Sequence, residues 1–374
     1  MAEQVSLPEK GSTFETVFWR NDGERRQEFP FRAMKINGVK SPKVILCADP
    51  ALTPGQPVRI KVIRVTRPQS KGRGFIEADY LGPVVFAISA DIYLDRQVAR
   101  KLQVLLEAGY SILLDGPQGS GKTVLSRIIA EALEMEYVYF NCASAYEATD
   151  FVATLQVRAN ESGVAETVFI PTEISLALKE ASESPFRRYL VFLDEFNRCR
   201  PMARNGLMPA LDSTRKIFDP AENRMLPIPP NVQFCAAINN GDQFVGATAV
   251  DPAQMDRFAT LKLHYPPPGE EAKLLEKRYP DLDPRIIRTV VDAAHAVRTS
   301  EELRVDLSMR ATEEACVLLS HPFFSEEAEA DESIREALKT AFCGRFPGRT
   351  EDPASEAAAV WGIIQHAVFE SASA

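Results

Sequence analysis

From Asp91 onward the chain alternates between two hydrophobic periods. Largely apolar runs of strand length occur at Tyr110–Leu114, Tyr137–Asn141, Tyr189–Leu193 and Val232–Ile238, and such runs suit strands buried on both faces. Between them, apolar residues recur three and four apart, as they do along one side of a helix. Ile92, Leu94, Val98, Leu102, Leu105 and Leu106 predict a helix leading into the first run. Val124, Leu125, Ile128, Ile129 and Leu133 predict a second with one apolar stripe, and Glu173–Ala181 and Met202–Leu211 predict two more. Strands alternating with helices predict a parallel sheet covered on both faces. One interruption, Ala153–Ile170, reads as a hairpin turning near Asn160–Gly163, and after Pro266-Pro267-Pro268-Gly269 the pattern is helical to the end.

Residues 1–90 read differently. Val58–Thr66 alternates mostly apolar and basic residues, as a half-buried strand does. Gln69–Gly74 is turn material, Phe75–Tyr80 and Val84–Ile88 suit further strands, and Pro42, Pro50, Pro54 and Pro57 break any helix. A small β-barrel or sandwich is expected there. The chain therefore divides into a basic β-rich domain at 1–90, an α/β domain at 91–266 and a helical region at 267–374. The expected fold class is α/β: a parallel-sheet domain followed by a helical region and preceded by the small β-rich domain.

Composition narrows the function. With 374 residues, 45% hydrophobic and 25% charged, the chain has the make-up of a globular protein with room for more than one domain. No apolar run approaches the roughly 20 residues of a membrane span, and the polar start Met1–Lys10 lacks the apolar stretch of a signal peptide. A cytoplasmic location without membrane partners is expected. Six cysteines, Cys47, Cys142, Cys199, Cys235, Cys316 and Cys343, and four histidines lie scattered with no zinc-ligand spacing, which suits reduced thiols. The net charge of −9 conceals a basic front end on an acidic body, so the two parts are expected to meet different partners.

The chemistry begins where the first apolar run ends, at Gly116, Pro117, Gln118, Gly119, Ser120, Gly121, Lys122 and Thr123. Such glycines let backbone N–H groups turn inward as an anion-binding nest at a helix N-terminus. Lys122 then reaches β- and γ-phosphates and the Thr123 hydroxyl ligates Mg²⁺, with Val124 closing the nucleotide-binding stretch. The bland alternative, a surface turn, fits poorly between a buried strand and an amphipathic helix. The run Tyr189–Leu193 ends in Asp194 and Glu195, suited to holding Mg²⁺ through water and to polarising the attacking water, respectively. Read without the loop, these carboxylates would merely cap the next helix. Asn239 places an amide at the following strand end, although Asn-Asn-Gly is also a good turn former. Arg257, after a long loop, suits a finger reaching a neighbouring subunit's nucleotide. Arg310 starts a helix, where a cation opposes the dipole, so reaching phosphate is its expected purpose. A surface salt bridge remains the alternative for either arginine.

The order of the loop, Leu193-Asp194-Glu195-Phe196-Asn197-Arg198, Ala236–Asn239, Gln254–Phe258 and Leu307–Arg310 resembles AAA+ ATPases of the MoxR type, over about Asp91 to Arg345. Gln254–Phe258 is most similar to the branch with the cobaltochelatase ATPase subunit, near the ATPases that activate Rubisco and nitric oxide reductase. The hairpin falls where that group carries an insert in its second helix, whereas residues 1–90 depart from the short N-termini of that branch. The resemblance implies a P-loop AAA+ parallel-sheet domain with a C-terminal helical lid, with Walker A at Gly116–Thr123, Walker B at Asp194 and Glu195, sensor 1 at Asn239, an arginine finger at Arg257 and sensor 2 at Arg310. It also implies ATP and Mg²⁺, a hexameric homo-oligomeric ring, and often a partner with a von Willebrand A domain, expected on a separate chain. The expected function is a Mg-ATP-driven ring that remodels a protein client or inserts a metal or cofactor into it, with the hairpin meeting the client near the pore. The first rival is a nucleic-acid-stimulated motor, of the DNA translocase or restriction and defence kind. It would use Arg59, Lys61, Arg64, Lys71, Arg73 and Phe75, because Lys71–Ile76 faintly resembles the Gly-Phe stretch of nucleic-acid-binding barrels. The second rival is a nucleotide-dependent scaffold.

Overall fold

The computed structural model describes residues 92–370 apart from 160–162, 185–186, 240–247, 301, 304–306 and 323–329, and, before residue 92, the backbones of seven strands. Those strands are β1 (Thr13–Arg20), β2 (Phe31–Ala33), β3 (Lys35–Ile36), β4 (Val39–Lys40), β5 (Lys43–Leu46), β6 (Pro57–Thr66) and β7 (Phe75–Pro83). Five form one sheet in the order β2–β1–β6–β7–β5, antiparallel except for the β5–β7 pair. The expected turn at 69–74 and strand at 84–88 lie outside the described residues, as does Cys47.

The lead-in helix is shorter than its apolar spacing predicts. It begins at Arg96, as α1 (Arg96–Glu107), because the Asp95 carboxylate accepts from the N–H groups of Gln97 and Val98 and caps the helix there. Ile92 and Leu94 precede the helix and pack against the core from an irregular segment. The α/β region then runs β8 (Ile112–Gly116), α2 (Lys122–Ala132), β9 (Met135–Asn141), a hairpin of β10 (Ala153–Ala159) and β11 (Ala165–Pro171), α3 (Glu173–Glu183), β12 (Arg188–Asp194) and α4 (Pro201–Leu211). A second hairpin, β13 (Lys216–Asp219) and β14 (Arg224–Pro227), precedes β15 (Val232–Asn239), the short α5 (Pro252–Met255) and β16 (Ala259–Lys262).

Five of these strands make an all-parallel sheet in the order β16–β8–β15–β12–β9. Its three central strands, β8, β15 and β12, read as largely apolar runs because both their faces are covered. Along β12, Tyr189, Val191 and Leu193 enter the core shared with α3 and α4, whereas Leu190 and Phe192 enter the core shared with α1 and α2. The sequence pattern missed β16 and the β13–β14 hairpin, whose four-residue strands carry too little periodicity to stand out. The turn of the β10–β11 hairpin, at 160–162, lies outside the described residues.

The remaining described residues are helical, as their spacing predicts: α6 (Pro268–Arg278), α7 (Pro284–Thr299), α8 (Met309–Ser320), then Ala330–Ala341 and Glu356–Ile364. Their apolar faces form a separate core around Val290, Ala294, Ala315, Leu338 and Val360. Among the described ion pairs of this lid, one is buried. The Arg298 and Glu271 side chains are 8% and 1% exposed and meet at 2.5 Å. Removing either partner would strand a buried charge, at a cost of about 3–5 kcal/mol. The five described cysteines are unpaired and buried, Cys142, Cys199 and Cys235 against the sheet and Cys316 and Cys343 in the lid.

Close approach between α4 and the turn before β10 generates a stability prediction. A Cβ placed on Gly206 would stand 2.0 Å from the Ala148 Cβ. Gly206→Ala should therefore destabilise the protein by about 1–3 kcal/mol through overpacking, although alanine is the better helix former by ~1 kcal/mol. Urea denaturation checks this, and a midpoint at or above the parent's would contradict the packing argument.

Candidate active site

Parallel pairing brings the C-terminal ends of the strands onto one edge. In register, Gly116 at the end of β8 lies beside Asn239 at the end of β15, and Asp194 at the end of β12 lies beside Asn141 at the end of β9. A cleft of about 460 Å³ opens over this edge and is closed on its far side by α6 and α8. Gln118, Gly119, Ser120, Gly121, Lys122, Thr123 and Val124 line it, as do Asp194, Glu195, Asn239 and Arg310. Most of the residues singled out from the sequence therefore share one wall. Gly116 and Pro117 belong to the same loop through their carbonyls, which accept from the Lys122 ammonium at 2.9 and 2.7 Å.

The loop has the geometry that its glycines are needed for. Gly119 and Gly121 have φ of 75° and 85°, a region that other residues enter at a cost. Side chains at these positions would also collide with Ser308 and Ile92, respectively. Gly121 caps α2, so the free N–H groups of the first helical turn face the cleft. Lys122 is 7% exposed. Burial drives its pKa down to about 8, opposed by the charges of Asp194 and Asp115 and assisted by that of Arg310. A desolvated ammonium beside inward-facing N–H groups fits a polyphosphate, whose charge would replace the lost hydration. Val124 departs from the predicted apolar stripe: it is exposed at the cleft while Leu125, Ile129 and Leu133 are buried.

The carboxylates suit a bound divalent cation next to that phosphate. The Thr123 hydroxyl donates to Asp194 Oδ2 at 3.2 Å, and the Glu195 N–H donates to Asp194 Oδ1 at 2.9 Å. Thr123 and Asp194 would hold Mg²⁺, which supplies charge neutralisation at the phosphates. Glu195 has φ 52° and ψ 40°, a left-handed conformation that ends β12 abruptly and is strained for a glutamate. Arg198 pairs with its carboxylate at 3.4 Å. Behind it Asn197 donates through Nδ2 to the Asn239 carbonyl at 2.8 Å and joins the two strand ends.

Two arginines occupy different places. Arg310, the second residue of α8, is exposed and lines the cleft. Arg257 does not line it. Its Nη1 donates to the Ala253 carbonyl of α5, and its Nε is buried with no hydrogen-bond partner among the described residues. Sequence reasoning missed several cleft residues. Tyr139 donates to Asp194 Oδ2 at 3.4 Å, Asn141 ends β9, and Ile92, Tyr93, Leu274 and Met309 add apolar surface suited to a base. An apolar pair just before the Asp95 cap was the one available signal for Ile92 and Tyr93. Among the described residues no cluster of three or more His, Cys, Asp or Glu could hold a metal, and no helix is long and apolar enough to cross a membrane.

Fold and site together define a P-loop α/β domain whose cleft suits a nucleoside polyphosphate. Residues 111–258 match the family model described as AAA domain (dynein-related subfamily). An uncharacterized protein of Staphylococcus saprophyticus is 29% identical over 171 residues, 46% of this chain and 62% of its own length. Another, from Staphylococcus epidermidis, is 28% identical over 211 residues, 56% of this chain and 74% of its own. This chain thus spans about three-fifths of the first relative's length. Among solved structures, the Thermotoga maritima RuvB Holliday junction branch migration motor aligns at 15% identity and a TM-score of 0.41, over 66% of this chain and 69% of its own. A variant of the same RuvB aligns at 16% and 0.44, over 67% and 72%.

The lowered pKa of Lys122 has a signed consequence. Phosphate binding raises that pKa, so above pH 8 binding must take up a proton and weakens as pH rises. ADP affinity should fall about ten-fold between pH 7 and pH 9, following from one proton and the cited value. Calorimetric titration in buffers of different ionisation enthalpy checks both the affinity and the proton uptake. A pH-independent affinity would refute the assignment.

Proposed function

We propose that the protein acts as a homo-oligomeric, hexameric ring of the MoxR type in which ATP binds between subunits and its hydrolysis remodels a protein client. Client activation by insertion of a metal or cofactor falls within this reading. The observation that carries it is Arg257. It stands off the nucleotide cleft of its own subunit, just after the short α5, with a buried Nε that has no hydrogen-bond partner among the described residues. That placement suits an arginine completed by a neighbour's γ-phosphate. Within a subunit, Glu195 orients and deprotonates water, Asn239 polarises it or meets the γ-phosphate, and Arg310 reports nucleotide to the lid.

The client surface in this reading is the β10–β11 hairpin. Cross-strand register places Leu155 opposite Phe169 and Val157 opposite Thr167, and Leu155, Val157 and Phe169 are exposed. An apolar ribbon of this kind suits contact with a protein. A partner bearing a von Willebrand A domain would be such a protein. Register also supports a protein client over nucleic acid. Along β6, Arg59 pairs with Glu15 of β1, and Lys61 and Arg64 pair with Asp79 and Glu77 of β7. Acidic residues at these paired positions offset the basic charge that a phosphate backbone requires. Lys71 and Arg73 lie outside the described residues.

Two measurements test this reading. Glu195→Gln should bind ATP as the parent does while turnover falls roughly 10²-fold, the loss expected for a positioned general base; parental turnover would remove Glu195 from that role. Arg257→Ala and Lys122→Ala should each abolish most turnover alone. Mixed together they should regain part of it, because one subunit keeps a pocket and its neighbour keeps the finger. No recovery on mixing, with assembly verified by sedimentation, would count against a finger in trans.

A further inference from the structure

Lid and phosphate loop are joined at a point the hydrolytic residues do not use. Tyr265 lies between β16 and α6, and its hydroxyl donates to the backbone carbonyl of Gln118 at 2.8 Å. The Arg298 guanidinium sits over its ring, 4.5 Å from the centroid, a cation–π contact. Arg298 also grips the Glu271 carboxylate at 2.5 and 3.1 Å and donates through Nε to the Leu307 carbonyl at 2.7 Å. Glu271 accepts in turn from the Thr312 hydroxyl at 2.8 Å. A single buried carboxylate therefore links α6, α7 and α8, and one tyrosine links that junction to the loop.

The junction lies beside the lid's apolar core. Ala311, Ala315 and Leu319 bury one side of α8 in that core, which secures the helix within the lid. They do not set how its first turn stands relative to the loop. Two contacts do. One is the close approach of Ser308 to Gly119, where an added Cβ would lie 2.8 Å from Ser308 Cβ. The other is the tyrosine hydroxyl. Arg310 projects from this same turn, two residues before Thr312, and lines the cleft.

We propose that Tyr265 is a positioning residue for ATP hydrolysis: by tying the Gln118 carbonyl to the Arg298–Glu271 junction, it sets where Arg310 stands against the γ-phosphate. This rests on the reading of Arg310 as the residue that meets that phosphate. Its ring and its contact with Arg298 survive in Tyr265→Phe, so that variant removes one hydrogen bond and leaves the lid core alone.

The test is a double-mutant cycle on the full-length chain, with single-turnover ATP hydrolysis and binding of a fluorescent ADP analogue as readouts. Tyr265→Phe should slow hydrolysis about five-fold, the worth of one neutral hydrogen bond. ADP affinity should stay within about two-fold, because ADP lacks the phosphate that Arg310 meets. In an Arg310→Ala background the Tyr265→Phe effect should disappear, since the two residues act through one contact. An undiminished effect in that background, or a matching loss of ADP affinity, would show that Tyr265 merely braces the loop and would overturn the proposal. Parental hydrolysis by Tyr265→Phe alongside impaired Arg310→Ala would sink the positioning role only. Parental hydrolysis by Arg310→Ala would sink the reading beneath it.

Discussion

Parallel pairing of β8, β15 and β12 is the constraint on which everything else rests. Because these strands run the same way, their C-terminal ends must share an edge, and each connection must cross back over a sheet face. The crossing helices bury both faces and leave that edge as the place where backbone groups stay unpaired. A phosphate loop, two carboxylates and an amide therefore arrive together from Gly116–Thr123, Asp194–Glu195 and Asn239, although they are far apart in sequence. Binding at such an edge is the general behaviour of open α/β sheets.

The same edge concentrates unfavourable features. Glu195 holds a left-handed backbone, Lys122 is an ammonium largely cut off from water, and Arg310 places positive charge at the wrong end of α8. None of these favours the folded chain by itself. Each would become favourable with a polyanion and its cation in the cleft, which is what a site organised for a ligand at the expense of local stability requires. The apolar cores on both sheet faces and in the lid offset that expense.

Legibility in the sequence followed the strength of the physical signal. The central strands stood out because residues buried on both faces must be apolar without a break, as Tyr189–Leu193 is. The phosphate loop stood out because its chemistry tolerates few residue types. Strands of four residues, such as β16 and those of the second hairpin, carry no period to read. The helix start was misplaced because Leu94 stands four residues before Val98, a helical spacing, and only the Asp95 cap separates it from α1. Val124 kept the stripe's spacing but faces the cleft. Tyr139 and Tyr265 gave no signal at all: a tyrosine at a strand end or in a proline-rich link acquires meaning only when the carboxylate or carbonyl it meets, far off in sequence, is brought near.

The buried cysteines carry a consequence for motion. Cys142, Cys199 and Cys235 are sealed around the sheet, whereas Cys316 and Cys343 are sealed within the lid. Burial also raises these thiols above the usual range, with Cys316 pushed up to about 12, so neither group reacts while its core stays closed. Each core thus contains its own chemical clock. A thiol reagent gains access only through an opening of the region in question, and the order in which the two groups are modified would separate loosening of the lid from loosening of the sheet without any label being introduced.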